Sequence, residues 1–475
     1  MAEAAFLIYV ATIMAMGVKA KARTLEKFIL GDTLGTRAMV ATIVSTFYGA
    51  SAILGGVSLT YQLGLGVLWF MVPFYLGNVA VVFLLRRIAT HRARSARYTL
   101  PDFLGDFYGK EFAVASSMLL ATLCLVPEEI IAGGKILSHF TSMPVEVAMG
   151  AMAFVLVVPV VIGGMKADVM TDIAQFVLML LMLGAMALFI PRMSPTARTP
   201  FVRAVGAIRG LRLDLTSGIP AGYFNPLSSM SVQDIAVFFV LFFFLPITSA
   251  PLYQRLFASE SEDCSRRSVL YSIAIWMVVD AIIVLCGFAA LRMSPDLADP
   301  DMALISLGTA LPTVGRGIFF VGLLAAIMST VNSFLQSGAS SLAYDTFRHF
   351  SPGISEARLL ALSRVFVVVL GLLSLALALW FQMVVPALLF TLSMWTAGML
   401  VPTLAALLGM KLRKRTALYT ILGGTSSSLI WRILQPFDVD TLFVGLGCAL
   451  LVAIVSEVIL SRSRLGSGPN PAIQG

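Results

Sequence analysis

Four carboxylates stand inside otherwise apolar stretches of the chain. Glu128 and Glu129 follow Pro127, Asp172 falls near the start of one apolar run, and Asp280 lies near the middle of another. An ionisable group at the centre of a hydrophobic span costs on the order of 2.5 to 3.5 kcal/mol on insertion scales, so such residues mark places where ions or solutes are handled. Adjacent glutamates project about 100° apart on a helix. One of the pair can face a central cavity, and the other needs a partner or a proton. An acidic cavity wall suits a cationic or zwitterionic solute, such as an amine or an amino acid.

Hydroxyls form the second group. In Ala326-Ile327-Met328-Ser329-Thr330, positions 326, 329 and 330 share one helical face by the three-and-four spacing, bringing a carbonyl and two hydroxyls together. A small hard cation takes several oxygen ligands at about 2.4 Å, and hydroxyls joined by carbonyls from an interrupted helix supply them. The histidines, His91, His139 and His349, lie in connecting segments, and Cys124, Cys264, Cys286 and Cys448 form no CxxC pair. Neither a haem, a zinc site nor a disulfide frame is expected. No nucleophile and base pair appears in the spans, so an enzyme is not expected, and no organic cofactor is.

The elements that must position these groups are membrane helices. The 475 residues are 59% hydrophobic and 12% charged, with mean hydropathy +0.93. Soluble domains carry roughly 25% charged residues. Apolar runs of the roughly 20 residues needed to cross hydrocarbon as helix recur from end to end, leaving no length for a fused soluble catalytic module. The runs do not alternate as lipid-facing strands do, which excludes a β-barrel. Thirteen spans are expected, at about 4–18, 38–60, 64–85, 111–138, 144–163, 167–190, 233–254, 268–291, 313–343, 358–381, 384–409, 416–433 and 441–461.

With the N-terminus outside and the C-terminus cytoplasmic, most of the 33 lysines and arginines fall on the inner side, including Lys19, Lys21, Arg23, Arg86, Arg87 and the cluster Lys411, Arg413, Lys414, Arg415. The net charge of +8 therefore reports topology and anionic lipid, and nucleic acid is not an expected partner. The opening run lacks the features of a cleavable signal peptide. A bacterial inner membrane is the expected location.

Two of the spans are interrupted. Residues 45 to 56, Ser45-Thr46-Phe47-Tyr48-Gly49-Ala50-Ser51-Ala52-Ile53-Leu54-Gly55-Gly56, place glycines and small polar residues at the middle of the second span. Residues 242 to 251, Phe242-Phe243-Phe244-Leu245-Pro246-Ile247-Thr248-Ser249-Ala250-Pro251, place prolines at the matching point of the seventh. The two are five spans apart, so they cross in opposite directions, as an inverted repeat of five plus five helices requires. Paired interruptions of this kind point to a transporter's central site.

Together these residues resemble the sodium:solute symporters, which carry proline, sugars, sialic acid and short-chain acids. The likeness lies in Phe28-Ile29-Leu30-Gly31-Asp32, Leu100-Pro101-Asp102-Phe103-Leu104, Gly163-Gly164-Met165-Lys166-Ala167, Thr171-Asp172-Ile173-Ala174-Gln175, Tyr253-Gln254-Arg255 and Ala326-Ile327-Met328-Ser329-Thr330. It implies an all-α, LeuT-type fold in a single transporter domain over 1–465. The repeats would cover about 36–190 and 233–409, with extra helices at 4–18, 416–433 and 441–461 and a short flexible cytoplasmic tail at 466–475.

The resemblance further implies a sodium site at Ser45, Tyr48, Ala326, Ser329 and Thr330, with Asp172 beside it. A second sodium would draw on Asp172, Ser329, Asn332 and Ser333, although Asn332 stands where a serine is frequent. Substrate would meet Phe47, Gly49, Ser51, Ala52, Glu128, Glu129, Phe243 and Leu245, where the sequence departs most from relatives. The expected activity is Na⁺-coupled import of a small organic solute by a monomer in the bilayer, with Na⁺ as the coupling ion and the only metal. Two alternatives remain open at this stage: proton coupling through Glu128, Glu129 and Asp280, and a transporter-like solute sensor that signals through a separate partner.

Overall fold

A computed structural model describes residues 2–94, 98–193, 221–351, 353–435 and 437–466. Among these the chain is helical, and its only extended pairing is an isolated parallel bridge between Leu34 and Ser259. The expected tail and most of the connection between 191 and 232 lie outside the described residues.

In chain order the helices are α1 (Ala2–Lys19), α2 (Leu25–Ile29), α3 (Thr36–Phe47), α4 (Ala50–Leu63), α5 (Leu68–Arg94), α6 (Leu100–Tyr108), α7 (Lys110–Leu123), α8 (Pro127–Thr141) and α9 (Val145–Met193). They continue with α10 (Val232–Thr248), α11 (Ala250–Ala258), α12 (Glu262–Met293), α13 (Met302–Thr309), α14 (Thr313–Ser341), α15 (Glu356–Phe381), α16 (Val384–Leu408), α17 (Lys414–Leu434) and α18 (Thr441–Gly466).

Nine segments among the described residues are long and apolar enough to cross a membrane, against the thirteen spans expected. Val145–Ile190 takes in two expected spans, and Ala50–Ile88 joins the second half of 38–60 to 64–85. The expected span 4–18 is too short to qualify, and 416–433 is diluted by Gly423-Gly424-Thr425-Ser426-Ser427-Ser428. Those small residues let α17 approach α16 closely, since a side chain at Gly424 would strike the Ala397 carbonyl.

Both expected interruptions are real. α3 stops at Phe47 because Tyr48 takes φ −110°, ψ 59°, and α4 restarts after an extended Gly49. α10 ends at Thr248, and α11 restarts from an extended Ser249 with Pro251 in its first turn, where a missing N–H is harmless. Within α9 a third break falls at Gly164, whose φ of +65° only glycine adopts without strain. The core lies between these elements: α14 packs along α9 and also meets α3, while α10 packs along α5.

Candidate functional site

The break in α3/α4 exposes backbone in a helix that lipid would otherwise force to be continuous. The last carbonyls of α3, among them those of Ser45, Thr46 and Phe47, have no N–H one turn ahead, and the first N–H groups of α4 have no carbonyl one turn behind. Glu129 satisfies the second set. It is fully buried, and its carboxylate accepts from Ala50 N–H at 2.8 Å and from Ser51 N–H and Oγ at 3.1 and 2.7 Å. A carboxylate at a helix N-terminus also faces the positive end of its dipole. Gly49 lies where a Cβ would overlap both the Glu129 carboxylate and the Thr330 hydroxyl, so only glycine fits between them.

On the other side of the break, Thr330 Oγ1 donates to the Ser45 carbonyl at 3.3 Å. Ala326, Ser329 and Thr330 of α14 are buried against it, as the sequence spacing requires. Tyr48 turns its hydroxyl to Asp280 Oδ2 at 2.5 Å, where Tyr75 also donates, and its ring stacks on Trp276 with centroids 5.8 Å apart. Asp280 thus anchors the residue at which the helix unwinds.

A buried polar knot sits one turn before the break. Asp172 takes the hydroxyls of Ser329 on Oδ1 and Thr42 on Oδ2. Arg255 of α11 joins them: its Nη2 is 3.0 Å from Asp168 Oδ2, 3.3 Å from Asp172 Oδ2 and 2.6 Å from Ser333 Oγ, while Nε donates to Thr42 Oγ1 at 2.9 Å. A guanidinium therefore occupies the middle of the second-sodium set expected at Asp172, Ser329, Asn332 and Ser333. Of that set Asn332 stands apart, its Oδ1 buried without a partner.

Beside the break lies a cavity. Its walls are mainly aromatic and aliphatic, from Phe47, Phe70, Phe74, Phe242, Phe334 and Leu388 among others, and Thr46, Ser51, Thr330 and Thr391 add hydroxyls. Glu128 is the single ionisable carboxyl in the lining. It is 5% exposed, and its Oε2 has no hydrogen-bond partner. A polar atom this deeply buried is ordinarily paired, and no group among the described residues pairs with it.

Of the expected substrate residues, Phe47, Ser51, Ala52, Glu128 and Leu245 line this cavity, and Gly49, Glu129 and Phe243 do not. Gly49 belongs to the break itself. Glu129 is turned into α4's N-terminus, the 100° step between neighbours sending Glu128 inward in its place. Phe243 stacks on Phe239 with centroids 5.6 Å apart; Phe242, three residues before Leu245, shares the cavity face. Sequence reasoning passed over Asp168 and gave Arg255 no role. The four-residue spacing of Asp168 and Asp172, which puts them on one face of α9, was the available signal for the first.

Compared with known proteins, residues 28–424 match the model of the Sodium:solute symporter family. The sodium/pantothenate symporter of Escherichia coli (strain K12) is 25% identical over 382 residues, covering 79% of this chain and 77% of that one. The sodium/glucose cotransporter of Vibrio parahaemolyticus is 22% identical over 405 residues, 77% of this chain and 72% of its own. Among solved structures, a substrate-bound, outward-open Na⁺-coupled sialic acid symporter superimposes with TM-score 0.76 at 15% identity, covering 96% of this chain and 98% of that one. A nucleobase-cation-symport-1 family transporter gives 0.56 at 14% identity, over 92% and 95%. These likenesses show the fold, which is that of the LeuT-type transporters.

Proposed function

The chain belongs to the sodium:solute symporter family, and from that premise we propose that it uses the Na⁺ gradient to import an apolar organic solute bearing one cationic or hydrogen-bond-donating group. Sodium-coupled symport across a membrane follows from the family, and its relatives are transporters rather than enzymes. The observation that carries the solute class is the cavity beside the break, aromatic on most sides and offering the unpartnered Glu128 Oε2. An ammonium or amide N–H would complete that acceptor while the aromatic walls bury the rest of the molecule; cations also favour aromatic faces. A simple carboxylate brings no donor, and a sugar would leave several hydroxyls unpaired against the aromatic walls.

Na⁺ would sit between the α3 carbonyls at Ser45 and Tyr48 and the α14 set of Ala326 carbonyl, Ser329 and Thr330 hydroxyls. Bridging the break and α14 in one arrangement and not the other is how an ion shifts a conformational equilibrium. Each charge moved inward gains roughly 2.3 kcal/mol per 100 mV of membrane potential. The expected location is a bacterial inner membrane.

The test is solute-dependent thermal stabilisation of the purified protein in Na⁺, screened over amines, amino acids, carboxylic acids and sugars. Apolar amines or amino acids should stabilise it, and Glu128→Gln should weaken that binding at least tenfold. Stabilisation confined to sugars or simple carboxylates, or indifferent to Glu128→Gln, overturns the solute assignment. Uptake into proteoliposomes should then require inward Na⁺ and fail with K⁺ in its place.

A further inference from the structure

Two residues, Tyr48 and Gly49, separate α3 from α4, and both leave the helical region. Their neighbours are held from outside: Thr330 reaches the Ser45 carbonyl, and Glu129 takes the Ala50 and Ser51 N–H groups. Gly49 has no side chain by which its backbone can be fixed. Tyr48 keeps its N–H on the Val44 carbonyl at 3.1 Å, so it is the far side of the residue, its own carbonyl and the peptide beyond, that turns out of the helix. What remains to set that turn is the Tyr48 side chain.

That side chain is anchored at two points. Its ring, which lines the solute cavity, lies nearly parallel to Trp276 of α12, with 13° between the planes. Its hydroxyl donates to Asp280 Oδ2, one turn further along the same face of α12. Tyr75 of α5 donates to the same oxygen, so one carboxyl ties the break to two helices. Asp280 is 4% exposed, lies outside the cavity lining, and among the described residues pairs with no lysine, arginine or histidine. It therefore neither meets solute nor closes an ion pair, and its contacts converge on Tyr48.

We infer, resting on the central Na⁺ site proposed above, that Asp280 is a positioning residue for the coupling ion. Through the Tyr48 hydroxyl it fixes the ring, and through the ring it holds the Tyr48 carbonyl in one orientation before Na⁺ arrives. A ligand set in advance spares the ion the cost of ordering it. The Tyr48 side chain supplies no ligand atom, so its hydroxyl and the Asp280 carboxyl act on the ion only by this route. Because the Tyr48 ring also lines the cavity, the same anchor holds one wall of the solute site.

The affinity of ²²Na⁺ for the full chain in detergent, with choline holding ionic strength constant, tests this in the wild type, Tyr48→Phe, Asp280→Leu, their double variant, Asp280→Asn and Thr330→Ala. Tyr48→Phe and Asp280→Leu should each weaken Na⁺ about tenfold, the worth of one buried hydrogen bond, although neither removes a ligand. The double variant should bind no more weakly than the worse single one, because both changes cut the same link. Asp280→Asn, which keeps the shape and an acceptor oxygen, should recover most of the affinity. If Asp280→Leu does not elute as a monodisperse peak, Tyr48→Phe, Tyr75→Phe and their double variant carry the same comparison. Melting temperatures in choline, recorded alongside, separate positioning from packing: variants that melt lower yet bind Na⁺ as the wild type does would show that Asp280 merely joins α5 to α12, and the role is then wrong. Losses that multiply in the double variant would overturn it as well. If Thr330→Ala loses Na⁺ while Tyr48→Phe and Asp280→Leu keep it, the central ion site stands and the role of Asp280 does not; if Thr330→Ala binds as the wild type does, the ion site itself is misplaced and the role falls with it.

Discussion

Gly49 and Glu129 show how much of the central site hangs on single atoms. A methyl group at position 49 would enter space held by the Glu129 carboxylate and the Thr330 hydroxyl, the two groups that hold the halves of the break in place. Gly49→Ala should therefore reach the membrane yet lose at least tenfold in Na⁺-driven uptake, with Na⁺-dependent stabilisation weakened in parallel; normal Na⁺ stabilisation would show that the break tolerates displacement. Glu129→Ala strands the Ala50 and Ser51 N–H groups in a dry interior, at about 1–3 kcal/mol for an orphaned buried donor, whereas Glu129→Gln keeps one acceptor and should be milder. Thermal unfolding of the two variants in the absence of Na⁺ ranks them. The presence of a buried acid at 129 was legible in the sequence, and its task was not. The helix it caps lies 78 and 79 residues earlier, and no local pattern records that meeting. Phe242 and Phe243 failed for a smaller reason: in a run of three phenylalanines, composition cannot say which one faces the cavity.

At the scale of elements, the punctuation was readable because lipid allows few exceptions to a continuous helix. Gly49, Pro246 and Pro251 gave away both half-helix breaks, and the Gly163-Gly164 step separates the two spans that α9 joins. Gly164 adopts φ +65° with the Phe28 ring where a Cβ would be, so Gly164→Ala combines backbone strain with a clash. It should destabilise the chain by about 2 kcal/mol or more, read as lowered thermal stability with a poor yield of folded protein; an unchanged melting temperature would mean that α9 straightens at no cost. Beside this break, Asp32 pairs with Lys27 and, at 3.2 Å, with Lys166. Lys27 and then Lys166 hold its carboxyl below the usual carboxylate range against the opposing pull of partial burial. A depressed folded pKa contributes stability that is complete above the unfolded value of about 3.9 and disappears as pH falls through the folded one. The melting temperature of wild type relative to Asp32→Asn should accordingly be constant from about pH 5 to 8 and converge below about pH 4. Because Asp32 is half exposed, the difference should be small and should shrink further in salt.

For the whole molecule, the central break divides two polar clusters that sit on opposite sides of it along α3 and α4. Before the break, Thr42 is bound into the Arg255 knot; after it, Tyr61 bonds the Ser294 carbonyl and the Leu297 N–H of the connection leading to α13. That connection carries Asp299 and Asp301, which pair with Lys135 of α8 at 2.6 and 2.8 Å, while Asp301 also accepts from Val384 N–H at the start of α16 at 3.1 Å. Lys135 and Asp301 are both nearly inaccessible, so the contact straps together α8 and α16, two helices that line the solute cavity, and the α13 connection. Alternating access requires one end to open while the other stays shut, and a buried pair that loses one partner costs about 3–5 kcal/mol. Lys135→Met should loosen the Lys135 end. With Ala52→Cys placed on the cavity wall and the four native cysteines replaced, a membrane-impermeant thiol reagent added from the Lys135 side should label Lys135→Met at least fivefold faster than its parent, and Na⁺-driven uptake should fall. Equal labelling rates would mean that the strap is ornamental and that packing of α8 against α9 alone keeps this end closed. Adding Na⁺ separates the two sources of closure further. If ion binding at the break favours opening of this end, Na⁺ should accelerate labelling of the parent and have little left to add in Lys135→Met, because the strap it works against is already gone.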